Sequence, residues 1–252
     1  MTPWNRLAIL GLLVGALTAC AGPEAELAQQ ASARTHYDIG LGALAENDLK
    51  KAINELQMAV KEDPRNARHQ YALGNAYYRN GQIDEAIVAL RRAVELNPRL
   101  SDAYNDLGAA YVQKEWWDLA IDAFRKALAN PQYANPERAY LNLGNIYYAR
   151  GQHDRAAEEF NKLLDLFPQS ADAHFFLGRT LLAQGKLPEA REHLERAIKL
   201  EGSIPIFHLE LGVALLRSGQ RDAARESFRR ALDLNPAGPE ADAARRYLRE
   251  VN

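Results

Sequence analysis

From Ala33 to Pro236 the apolar side chains recur every three or four residues, in runs of twelve to fourteen broken by short polar turns. That period is the signature of amphipathic helices rather than strands. The stretch YALGNAYYRNGQIDEAIVALRRAVELNP from Tyr71 and the stretch YLNLGNIYYARGQHDRAAEEFNKLLDLFP from Tyr140 are one pattern written twice, and the pattern occurs six times in all. Each copy carries a glycine in its first helix, at Gly40, Gly74, Gly108, Gly144, Gly178 and Gly212, spaced by 34, 34, 36, 34 and 34 residues. Twelve residues on stands an alanine (Ala52, Ala86, Ala120, Ala156, Ala190, Ala224), and four further a large apolar side chain (Leu56, Leu90, Phe124, Phe160, Leu194, Phe228).

The marks have a common physical reading. Glycine and alanine sit where two antiparallel helices cross, because only a hydrogen or a methyl lets the backbones approach. Gly81, Gly151, Gly185 and Gly219 supply the left-handed residue that ends a first helix. Pro64, Pro98, Pro168 and Pro236 stop the second helix and fix the entry to the next copy. No single helix pair can bury its apolar face, so stability must come from stacking of neighbours. This pattern resembles the tetratricopeptide repeat across Ala33 to Pro236. The resemblance implies an all-α, right-handed superhelical solenoid of six repeats over 33–236, closed by a polar capping helix over 239–252. One junction departs from the rule: ANPQYANPERAYLNLG, Ala129 to Gly144, has two extra residues and prolines at 131 and 136, which predicts a longer, stiffer loop that either presents or tucks Tyr133.

Ahead of the repeats the pattern changes. Arg6 precedes the apolar run LAILGLLVGAL from Leu7 to Leu17, and then comes LTAC, Leu17 to Cys20, with the chain's one cysteine at its end. The run falls short of the roughly 20 residues that span a bilayer, so residues 1–19 read as a signal peptide. The small residues before Cys20 resemble the bacterial lipobox. That resemblance implies lipidation of Cys20, whose acyl chains, at about 0.8 kcal/mol per buried methylene, would hold the protein on a membrane surface. Ala21 stands where an aspartate would resemble the inner-membrane retention signal, so the resemblance favours the periplasmic face of the outer membrane. Residues 20–32 then serve as lipidated N-terminus and tether, or as a helical lead-in to the repeats.

Charge and chemistry narrow the function. The 31 basic and 33 acidic residues are dispersed and leave a formal charge of −2, which gives no footprint for nucleic acid. GLGALA at Gly40 to Ala45 matches a loose dinucleotide fingerprint but lies inside a helix of the pattern, with no strand before it. No phosphate loop, HExxH, nucleophile elbow or paired-cysteine motif is present, so no enzyme, cofactor, metal or small-molecule substrate is expected. His36, His174 and His208 share one repeat position, four residues before the glycine, where half-buried packing is expected. The pairs Arg91/Arg92, Arg125/Lys126 and Arg229/Arg230 read as a solvated outer face. Trp117 takes a packing place, whereas Trp116 stands at a turn position and is a contact candidate.

A partner surface follows from helix geometry. Positions on the first helix of each copy that project toward the inner face predict a partner-binding groove of Tyr37, Leu41, Leu44, Tyr71, Asn75, Tyr78, Arg79, Asn105, Val112, Leu141, Asn145, Tyr148, Phe175, Arg179 and Leu182, continued by Gln113, Leu209, Val213, Leu216 and Arg217. Tyrosines and aliphatics with a few Asn and Arg suit an amphipathic helix or extended segment of a protein. The lysine and asparagine clamp of chaperone-tail binders is missing, its places being taken by Tyr37, Leu41 and Asp106. Lipobox, repeat number and the irregular third junction together make the chain similar to the type IV pilus pilotin family. That resemblance implies an outer-membrane lipoprotein that binds the pilus secretin and aids its localisation and multimerisation. An envelope lipoprotein adaptor that recruits peptidoglycan hydrolases or another envelope complex fits the same residues, and both readings stay open.

Overall fold

The computed structural model describes residues 22–251. The predicted signal peptide, residues 1–19, and Cys20 lie outside the described residues. The chain divides into two compact units, one ending at Asn97 and the other beginning at Pro98.

The first unit holds α1 (Pro23–Ala45), α2 (Leu49–Glu62), α3 (Ala67–Arg79) and α4 (Ile83–Leu96). Helix α1 pairs with α2 and α3 with α4, and α2 joins the two pairs by packing on α3. The segment before Ala33 is helical: α1 starts at Pro23, a residue whose fixed φ suits a first turn, and the Gln29 side-chain amide donates to the Glu62 carbonyl at 2.8 Å. Of the two alternatives for 20–32, its described part is therefore the helical lead-in. Asp48 and Asn66 cap the next two helices, accepting from the Lys51 and Arg68 N–H groups at 3.0 and 3.1 Å.

The second unit holds α5 (Ser101–Gln113), α6 (Trp117–Leu128), α7 (Pro136–Ala149), α8 (His153–Leu166), α9 (Ala171–Ala183), α10 (Leu187–Leu200), α11 (Pro205–Arg217), α12 (Arg221–Leu234) and the closing α13 (Ala241–Glu250). Each odd helix from α5 pairs with the next even one, and each pair stacks on its successor. The capping helix α13 lays Tyr247 on Phe228, ring centroids 4.9 Å apart and nearly parallel, and Arg225 donates to the Val251 carbonyl at 2.7 Å.

The crossing glycines work as the spacing predicts. A Cβ at Gly40, Gly74, Gly108, Gly144, Gly178 or Gly212 would press in each case on the side chain sixteen residues later: Leu56, Leu90, Phe124, Phe160, Leu194 or Phe228. All six of those side chains are fully buried. The turns between paired helices are built alike. The residue after the last helical turn donates to a carbonyl five residues back, as Gln82 does to Tyr77 (2.9 Å), Gln152 to Tyr147 (2.8 Å) and Gln220 to Leu215 (2.9 Å). Gly81, Gly151, Gly185 and Gly219 precede these donors with φ of 70 to 77°. In the first and third repeats Asn47 (φ 60°) and Glu115 (φ 58°) take that conformation instead.

The third junction tucks Tyr133, which is buried. Asn130 ties the loop down, its amide donating to the Arg99 carbonyl at 3.2 Å and the Ser101 hydroxyl at 3.0 Å. Burial, aided by the charge of Asp102, pushes the Tyr133 phenol up to about 12.

Candidate partner-binding cleft

The inner-face residues of the first unit are only partly free. Leu44 is buried in the core with Ala43, Ile53 and Leu73 and is removed from the surface set. Tyr37 is half-buried, its ring 4.9 Å from that of His69, and burial raises its phenol above the usual range. Arg79 is spent on Asn47, donating to its side-chain oxygen at 3.0 Å. Tyr71, Asn75 and Tyr78 are half-buried, and Leu41 is exposed.

In the second unit Asn105 and Phe175 are also buried, Phe175 because its ring stacks on Phe207 at 4.7 Å. These two hold the helix stack together and present no face to a partner. Val112 and Leu141 are half-buried. Gln113 is exposed and Leu216 half-buried, both away from the cleft lining, and the other remaining predicted residues converge. Asn145, Tyr148 and Arg179 form one cluster, because Asn145 and Arg179 each follow the repeat glycine of the adjacent helices α7 and α9, and Tyr148 stands about one turn after Asn145. The Arg179 guanidinium lies over the rings of Tyr148 (4.5 Å), Phe176 (4.9 Å) and Phe175 (5.6 Å), and its Nη2 reaches the Asn145 oxygen at 3.5 Å.

That cluster forms one side of a cleft of about 320 Å³ between α7, α9, α11 and α13. Its walls are Tyr148, Arg179, Leu182, Ala183, Leu209, Glu210, Val213, Arg217, Ala243, Arg246 and Tyr247. Leu182, Leu209 and Val213 are buried and line the cleft with little exposed area, and the Leu182 carbonyl accepts from Arg217 at 3.3 Å and so aims that guanidinium. Burial raises the Glu210 carboxyl above its ordinary range, and the charges of Arg179 and Arg217 only partly counter the effect. The sequence reading reached Tyr148, Arg179, Leu182, Leu209, Val213 and Arg217 but missed Glu210, Arg246 and Tyr247. Glu210 lies two residues before its repeat glycine, where an acid at Asp38 and again at Asp106 was the available signal. Arg246 and Tyr247 sit on the tail helix, which carries no repeat mark.

The other residues singled out by pattern find local partners. His36 bonds Glu55 at 2.7 Å, His208 bonds the Gly202 carbonyl at 2.9 Å, and His174 lies 2.9 Å from His193, nitrogen to nitrogen. Each is part of its own repeat. Trp116 is 44% exposed beside Tyr111, with the Lys114 ammonium 5.9 Å from its ring centre, while Trp117 is half-buried. The basic pairs on the second helices are exposed, as expected of an outer face.

Comparison with known proteins agrees with this geometry. Models of the tetratricopeptide repeat match residues 44–81 and 74–115, 101–130, 141–203 and 181–248. Among solved structures, PilF of Pseudomonas aeruginosa is similar at 19% identity with a TM-score of 0.75, over 87% of this chain and 99% of that one. PilW, described as a widely conserved type IV pilus biogenesis factor, is similar at 22% identity with a TM-score of 0.75, over 84% of this chain and 97% of its own. YrrB, described as a repeat protein of this class with an unusual peptide-binding site, is similar at 23% identity and a TM-score of 0.62, over 76% and 97%. At these identities the likeness is one of fold. A search of curated proteins finds no match to the sequence.

Proposed function

For this chain, which belongs to the tetratricopeptide-repeat proteins, we propose the role of a lipid-anchored scaffold in type IV pilus biogenesis. It binds the pilus secretin and promotes secretin localisation and multimerisation at the outer membrane, held there by acyl chains on Cys20. The observation that carries the binding half of this reading is the convergence of Tyr148, Arg179, Arg217 and Tyr247 on one cleft, an aromatic and polar rim over a lining that includes the buried Leu209 and Val213. The pilus half draws support from the fold shared with PilF and PilW over nearly their whole lengths. The anchoring half draws support from the lipobox-like LTAC at Leu17 to Cys20.

The test is photo-crosslinking in native membranes, with a photoreactive residue in place of Tyr78 and, separately, of Tyr148, followed by mass spectrometry of the adducts. A secretin subunit as the dominant adduct at both positions is the expected result. Dominance of peptidoglycan hydrolases would replace the pilotin reading by the adaptor reading, and the absence of any discrete adduct would overturn the groove. Anchoring is tested separately: palmitate incorporation and outer-membrane fractionation are expected for the native chain and lost in Cys20→Ala.

A further inference from the structure

Three guanidinium groups, on Arg179, Arg217 and Arg246, line the cleft of the second unit, against the single carboxylate of Glu210. With every group ionised the cleft holds a surplus of two positive charges, in a chain whose net charge is −2. The surplus is therefore local.

The state of Arg179 gives the surplus a direction. Its flat face is covered by Tyr148 and Phe176, which fixes the plane of the fork and removes water from above it. Its hydrogen bonding is poor for a group so placed: one contact to Asn145 at 3.5 Å, and a buried Nε with no partner among the described residues. Arg217 is aimed by the Leu182 carbonyl at 3.3 Å. Arg246 is exposed and completes the rim from α13. Around these donors stand Leu182, Leu209, Val213 and Tyr247. A planar acceptor with four lone-pair sites on two oxygens matches such forks, and apolar neighbours match such walls.

We propose that this cleft recognises an aspartate or glutamate side chain flanked by apolar residues in an extended segment of a partner protein, with Arg179, Arg217 and Arg246 as the recognising groups. The proposal rests on the protein-binding reading above and is indifferent to which envelope protein supplies the segment. Glu210 competes with the incoming carboxylate for the same arginines. Its neutralisation must therefore tighten binding, a sign that a merely structural role for the cluster would not produce.

The test is a nuclear magnetic resonance titration of the full chain, methyl-labelled so that Leu182, Leu209 and Val213 report. Three probes are compared: acetyl-Leu-Glu-Leu-Glu-Leu-amide, the same peptide with glutamine for glutamate, and that glutamine peptide with a free C-terminal carboxylate. The blocked acidic peptide is expected to shift the three methyls and to bind about tenfold more tightly than the blocked glutamine peptide. Arg217→Gln and Arg246→Gln, both at exposed side chains, are expected to remove most of that preference, and Glu210→Gln to increase it. Equal binding of the two blocked peptides, preference for the free-carboxylate glutamine peptide alone, shifts confined to other regions, or weaker binding in Glu210→Gln would each overturn the proposal. If the crosslinks at Tyr148 still capture a protein while the acidic peptide shows no preference, this inference alone fails. If no protein is captured, the binding reading fails first.

Discussion

Two glycines in the same helix, two residues apart, should respond to the same substitution with opposite signs. Gly40 and Gly42 both lie within α1, far enough from its start for alanine to be the better helix former by about 1 kcal/mol. At Gly42 a Cβ meets nothing within 4 Å, so Gly42→Ala should gain most of that amount. At Gly40 the new methyl would stand 2.6 Å from the Leu56 Cγ and 2.9 Å from its Cδ2. Leu56 is fully buried, and a Cγ is a branch point rather than a free end, so relief requires the helices to part. Overpacking of this kind costs about 1–3 kcal/mol, which outweighs the propensity gain and leaves Gly40→Ala destabilising by up to about 2 kcal/mol. Guanidinium denaturation followed by far-ultraviolet circular dichroism gives the ranking, and hydrogen exchange in α1 and α2 locates the effect, since a repeat array need not unfold in one step. The reasoning fails if both variants shift stability in the same direction, or if Gly40→Ala leaves exchange in α2 untouched.

Three further outcomes follow from single features. Glu115 holds a left-handed conformation that four other repeats give to glycine, so Glu115→Gly should stabilise by about 0.5–1 kcal/mol in denaturant melts, while Asn47→Gly should change little because asparagine tolerates that conformation. Tyr133 has a buried hydroxyl without a hydrogen-bond partner among the described residues, so Tyr133→Phe should be neutral or stabilising, and the native phenol should resist ionisation in a spectrophotometric titration until near pH 12. His174 and His193 both have pKa values lowered chiefly by burial; for His174 the Pro168 carbonyl and Glu192 oppose the effect and Arg196 adds to it, and for His193 the charge of His174 adds to it and Glu192 opposes it. Because the unfolded chain binds protons more readily than this pair, stability is full above the ordinary histidine pKa of 6.5 and is lost as pH falls through the lowered values. Hydrogen-exchange protection in α9 and α10, corrected for the intrinsic pH dependence of exchange, should fall on acidification in the native chain, and His193→Gln should reduce that loss.

Much of the architecture was legible because one constraint was repeated. A glycine facing a large side chain sixteen residues later is a contact that can be read from spacing alone, and all six such contacts are present. The four turn glycines were legible for the same reason, whereas Asn47 offered only the weak hint of a residue that tolerates positive φ and Glu115 offered none. The groove was legible only by position. Spacing says which side of a helix faces inward, but the neighbouring pair decides whether an inward side chain is covered. Phe207 closes over Phe175, and the core of the first unit closes over Leu44. Among Tyr148, Arg179 and Arg217 the neighbours leave space instead.

The missed half of the cleft shows where repeat logic stops. The position two residues before the repeat glycine reads Asp38, Ala72, Asp106, Asn142, Phe176 and Glu210. The crossing geometry tolerates acid, amide, methyl and ring there alike, because that geometry depends on the glycine and the residue sixteen places on. Freedom at such a position is what lets one backbone carry different surfaces, and it is also why the acids at Asp38 and Asp106, alternating with methyl, amide and ring, were too weak a periodic signal to single out Glu210. Arg246 and Tyr247 escape for a complementary reason. A last repeat must be covered by an element that is not itself a repeat, and here Tyr247 does so by stacking on Phe228. The same helix brings Arg246 to the cleft rim, so the element that ends the array also supplies part of its charge. A covering helix chosen only for solubility would need a polar outer face, but it would not need an arginine beside the inward tyrosine. The pairing of those two residues is what joins the covering of the last repeat to the charge of the cleft.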